Sequence, residues 1–128
     1  TEDNYAVVLE YYPQKNFIVT QEGKAKASSE SMTHGMVYNL YDDARFVFHV
    51  HSLEIWKNRE KLKIPTTSKE VEYGTPEMAG EVKRIYYEAM DKSIFAMGGH
   101  EDGIVSFGKT SDKAGCIILN YLEKAQEL

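Results

Sequence analysis

With 128 residues, 42% of them hydrophobic, the chain can bury one packed core, and residues 1–128 are expected to form a single domain. A formal charge of -5, a pI near 5.4 and the lack of any basic run exclude a broad electropositive surface, so nucleic acid is not an expected partner. No segment approaches the roughly 20 apolar residues of a membrane span, the start Thr-Glu-Asp-Asn has no leader character, and the lone Cys116 cannot close an internal disulfide, so a soluble, cytoplasmic protein with no membrane partner is expected.

In chain order, residues 5–12 and 17–20 are rich in β-branched and aromatic types and flank Pro13-Gln14-Lys15-Asn16, which predicts a hairpin. Ser28-Ser29-Glu30 supplies N-cap candidates for a helix with the apolar stripe Met32, Met36, Val37 and Leu40. Phe46, Val47, Phe48 and Val50, interrupted by His49, read as a strand covered on both faces. A helix over residues 53–59 follows. Thr75-Pro76-Glu77 is an N-cap, N1 proline and first-turn acid, opening a helix with Met78, Val82, Ile85, Tyr86 and Ala89 at helical spacing. Residues 94–97 and 104–107 are two further short strands, and Ala114, Ile117, Ile118, Tyr121, Leu122 and Ala125 mark a closing helix begun near Ser111, with Cys116 expected to pack as a small apolar residue. No repeat or linker interrupts the series, and mixed helices and strands make the fold class α/β.

The chemistry concentrates in histidines. Residues two apart on a strand share a face, so His49 and His51 present their imidazoles side by side, a spacing that suits two ligands of one metal ion. A third ligand must come from elsewhere. His100 is the leading candidate, because the surrounding Gly98-Gly99 and Gly103 allow a sharp turn and close approach, and a carboxylate at Glu101 or Asp102 is the alternative. Gly103 to Thr110 also matches the P-loop pattern, but Ile-Val-Ser-Phe in its middle reads as a strand, so nucleotide binding is not expected.

From Ser28 onward, the order Ser28-Ser29-Glu30, a helix with His34, a strand ending His49-Val50-His51-Ser52, Ile64-Pro65, Glu72-Tyr73-Gly74-Thr75-Pro76-Glu77 and Gly103-Ile104-Val105-Ser106-Phe107-Gly108-Lys109-Thr110 resembles the class II aldolase/adducin family. The resemblance implies a three-layer α/β/α fold around a central mixed, largely antiparallel sheet. It implies that His49, His51 and His100 hold a divalent metal, zinc being the expected ion. It places the family's acid/base glutamate at Glu30, and its substrate-binding serines at Ser28 and Ser29. Each has a plainer reading: an acid near a helix N-terminus is favoured by the dipole alone, and serines cap helices.

The reaction implied is that of a metal-dependent lyase of aldolase type acting on a small hydroxylated carbonyl compound, a sugar or sugar phosphate, through a metal-stabilised enediolate. An epimerase, dehydratase or decarboxylase of the same family and a non-catalytic adducin-like interaction domain are the alternatives. A homo-oligomer, tetrameric by resemblance, is expected. The chain departs from the family pattern at three points. The glycine and asparagine phosphate motif of an N-terminal segment has no counterpart, so either that segment is missing or phosphate binding is lost. Aligning Gly103 to Gly108 on the family's Asn-His-Gly strand puts Asp102 at the third-ligand position, two residues after His100. The aldolase tyrosine after Ile-Pro is replaced by Thr66-Thr67-Ser68-Lys69, with Tyr73 nearby.

Overall fold

A computed structural model describes residues 1–72, 75–89 and 91–128, apart from the side chains of Gln14 and Ala89. Tyr73 and Gly74 of the resemblance motif, and the place of the Ala89 side chain in its apolar stripe, lie outside the described residues. Among those described, the chain forms β1 (Val8–Tyr12), β2 (Phe17–Thr20), α1 (Ser31–Leu40), β3 (Phe46–His51), α2 (Leu53–Lys57), α3 (Pro76–Ala89), β4 (Ile94–Ala96), β5 (Gly103–Gly108) and α4 (Ser111–Gln126).

The predicted hairpin is present as an antiparallel β1–β2 pair. A 3-10 turn at Pro13–Lys15 joins the strands, and Asn16 closes it with a left-handed backbone (φ 50), a conformation asparagine tolerates. The first strand begins at Val8 rather than at residue 5, because β2 ends at Thr20, the partner of Val8, and earlier positions have no partner strand.

The main sheet has the order β3-β5-β4 with antiparallel neighbours, and one isolated parallel bridge, Thr66 to Ala96, extends it past β4. Strand alternation sorts its side chains into two sets. Val47, Phe95, Val105 and Phe107 pack with Val37 of α1 and with Met78, Val82 and Ile85 of α3. Ile94, Ala96 and Ile104 pack with Ile55 of α2 and with Ile117, Ile118, Tyr121 and Leu122 of α4. Ser106, fully buried on the second face, donates its hydroxyl to the Ala114 carbonyl (2.8 Å) and ties α4 to β5.

β3 is covered on both faces as its composition suggests, Val47 packing with α1 and α3 and Val50 with α2 and α4, but it is an edge strand and Phe46 at its start is 42% exposed. The helix expected over 53–59 is regular only to Lys57, where the Asn58 side chain donates to the Glu54 carbonyl. Thr75 and Thr110 cap α3 and α4, their hydroxyls accepting from Met78 N and Lys113 N. Cys116 is exposed, contrary to the apolar packing expected of it. It lies about 200° around α4 from the inward-facing Ala114, so its apolar neighbours in sequence are not its neighbours in space. Gly103–Gly108 is extended strand, not a phosphate-cradling loop, so the P-loop pattern is a coincidence of spelling. Among the described residues no helix is long and apolar enough to cross a membrane.

Candidate metal centre

The ladder between β3 and β5 runs from Phe46 opposite Gly108 to His51 opposite Gly103. His49 and His51 share the face covered by α1, and their Nε2 atoms stand 3.2 Å apart. The 97–103 turn brings His100 to the same place. It is closed by bonds from His100 N to Met97 O (3.2 Å), Gly103 N to His100 O (2.9 Å) and Met97 N to Gly103 O (2.9 Å). His100 Nε2 then lies 3.2 Å from His51 Nε2. Gly103 makes this possible: a Cβ there would come within 2.8 Å of His100 Cδ2 and 3.0 Å of its carbonyl oxygen.

Two ligand atoms each about 2.0–2.1 Å from a tetrahedral ion lie about 3.3 Å apart, close to the separations seen at both contacts. The ligand atoms of His49, His51 and His100 all fall within 4.8 Å of one another, so the three residues are placed to bind a metal. Neutral imidazoles that aim Nε2 at one point need a proton or a cation between them, and one cation accepted by three lone pairs satisfies all of them together. Asp102 is not part of the group. Its left-handed backbone (φ 68) shapes the turn, and its carbonyl accepts from Ser52 N (2.8 Å).

Glu30 stands at the N-cap position of α1 but caps nothing: its side chain makes no capping bond. The carboxylate is instead 6% exposed, neither oxygen accepts a hydrogen bond, and Oε1 lies 3.9 Å from His100 Nδ1. Burial raises its pKa, against the opposing pull of His100, Thr33 and His51. Burial lowers the pKa of His49, with repulsion from His51 adding to it, and lowers that of His100, with His49 adding and Glu30 opposing. Both shifts favour the neutral imidazole, the form that binds metal.

This arrangement of two strand histidines, one turn histidine and one buried helix-start glutamate is spread along most of the chain, and so is the sequence match. The sequence profile of the class II aldolase and adducin N-terminal domain matches residues 3–128. The chain belongs to this family. Comparison with curated proteins gave no match, and comparison with solved structures gave none.

Within this class II aldolase and adducin domain, a cleft of about 580 Å3 opens beside His49 and Glu30 between α1 and β1. Ser28 lines it, and its hydroxyl accepts from Glu30 N (3.1 Å), fixing the turn that presents the carboxylate. Ser29 is exposed and lies outside the cleft lining. His34, Tyr38 and Tyr11 also line the cleft, and none of them was assigned a site role by sequence reasoning. For His34 and Tyr38 a signal existed, since 30, 34 and 38 fall on one helix stripe. For Tyr11, 24 residues from its partner Gly35, there was none. Burial, then repulsion from His49, lowers the pKa of His34 from 6.5 to about 4, so its ring is neutral at pH 7.

Proposed function

We propose that the chain is a divalent-metal-dependent lyase of aldolase type that acts on a small hydroxylated carbonyl compound. The observation that carries this reading is the convergence of three Nε2 atoms, 3.2 Å apart at two contacts, beside the buried Glu30 carboxylate. A divalent ion on His49, His51 and His100, zinc by the preference of imidazole donors, would supply a Lewis acid toward a carbonyl and an adjacent hydroxyl oxygen.

Glu30 is the one buried carboxylate among the described residues, and we assign it the proton transfers. Retro-aldol cleavage needs a base that removes the proton of the hydroxyl β to the carbonyl, so that its electrons form the new carbonyl as the carbon–carbon bond breaks. It then needs an acid to return that proton to the released carbon. A carboxylate whose proton affinity is raised by burial can do both at one position. Ser28, which lines the cleft and fixes the turn before Glu30, positions this group and is assigned substrate contact.

The two apolar clusters, one with α1 and α3 and one with α2 and α4, support a three-layer α/β/α stacking. Exposed apolar residues of the N-terminal hairpin and the segment before it, among them Tyr5, Leu9 and Phe17, support a homo-oligomer that would cover them. The test is a screen of hydroxylated carbonyl compounds for carbonyl release by zinc-reconstituted protein beside Glu30→Gln. Cleavage by wild type that the variant loses is expected. A variant with metal content and cleavage equal to wild type would remove Glu30 from the chemistry.

A further inference from the structure

The cleft beside the triad is long and has an aromatic outer half. Glu30, His34 and Tyr38 occupy successive turns of α1, a stripe of about 12 Å, and all three line the cleft. Val8 and Tyr11 of β1 form the facing wall. That wall is fixed, because the Tyr11 hydroxyl reaches Gly35 O (2.9 Å) and Asn39 Oδ1 (2.5 Å). The Tyr11 ring lies over Gly35, where a Cβ would come within 2.6 Å of it. Glycine at 35 therefore lets the ring close on the helix and define the width of the channel.

We propose that this cleft selects a hydroxylated carbonyl compound whose far end is an uncharged aryl or short alkyl group, seated against Tyr38 and Val8, in preference to one ending in phosphate. The inference rests on the lyase reading above and adds the substrate class. At about 580 Å3 the cleft is sized for a compact organic molecule, and a two- or three-carbon head group alone would leave its Tyr38 end filled with water. No lysine or arginine is among the residues that line the cleft, so a phosphate at the Tyr38 end, away from the metal ligands, would have no cationic side chain to pair with. The His34 ring, midway along the stripe, offers a hydrogen bond to a hydroxyl between the two ends.

Calorimetric binding to the zinc-loaded protein tests this, with acetohydroxamate, phenylacetohydroxamate and phosphonoacetohydroxamate as metal-anchored probes. The phenyl compound should bind about tenfold tighter than acetohydroxamate, and the phosphono compound no tighter than it. Tyr38→Ala should abolish the phenyl advantage without changing acetohydroxamate affinity, and the exposed position of Tyr38 keeps that variant folded. Tightest binding of the phosphono compound overturns the inference, as does a phenyl advantage that survives in both Tyr38→Ala and Val8→Ser. If acetohydroxamate itself fails to bind, the metal-centre reading falls and takes this inference with it, whereas binding without a phenyl preference defeats this inference alone.

Discussion

The two ends of the β3–β5 ladder open onto clefts of similar size, about 580 Å3 beside His49 and about 490 Å3 beside Tyr41, but they are built from different materials. At the Tyr41 end the rings pack against one another, Tyr41 lying 4.1 Å from Phe107 and 4.8 Å from Tyr86 between centroids. Its hydroxyl reaches a backbone carbonyl, that of Tyr86. At the His49 end three imidazoles and a carboxylate crowd together, and both oxygens of that buried carboxylate go without hydrogen bonds. Buried polar groups left unsatisfied cost stability, on the order of 1–3 kcal/mol each. A fold that keeps them at one end and satisfies them at the other marks the first as the working end.

The sharpest way to break this contrast is a pair of isosteric changes. Glu30→Gln should lower turnover of a substrate found by screening about 10²–10⁴-fold while metal content stays the same, and Tyr41→Phe should change turnover less than about twofold. Steady-state rates on metal-quantified protein decide it, and comparable losses in both variants would erase the distinction between the ends.

A glycine pair probes the same contrast through packing. Gly103→Ala pushes a methyl into the His100 ring and should weaken metal affinity about 10–100-fold, read by competition with a chromophoric chelator. Gly108→Ala, at the other end, meets Ala114 N at 3.0 Å and should cost about 1–2 kcal/mol in denaturant unfolding, with metal affinity unchanged.

Acid should separate the ends more gently. His34 has its pKa lowered from 6.5 to about 4 in the fold, so between those values the unfolded chain binds more protons than the folded one. Stability of the metal-free protein should fall as pH drops through that window, by up to on the order of 3 kcal/mol, and His34→Gln should flatten that part of the profile. Tyr41, pushed up to about 12 by burial, contributes nothing there. A profile identical in wild type and His34→Gln would contradict the burial assigned to that ring.

The strand pair of imidazoles was legible because a period of two is a local rule, and the cap of α3 was legible because threonine at that position acts on an amide three residues away. Glu30 was legible only through the family resemblance, since a helix-start acid looks the same whether it caps or, as here, turns inward uncapped. Cys116 was misread because its apolar sequence neighbours face a different side of α4. The cleft wall was invisible in the sequence: Tyr11 meets Gly35 across the chain, and the emptiness of a glycine has no meaning until the ring that fills it is known. The choice between His100 and Asp102 depended on the geometry of a turn containing a left-handed residue, which composition does not fix.

Metal content distinguishes the two candidate ligands directly. Elemental analysis of zinc-reconstituted, desalted wild type, His100→Ala and Asp102→Asn should give about one ion per chain in the first and third and less than about a tenth of that in the second. An ion retained by His100→Ala and lost from Asp102→Asn would contradict the triad.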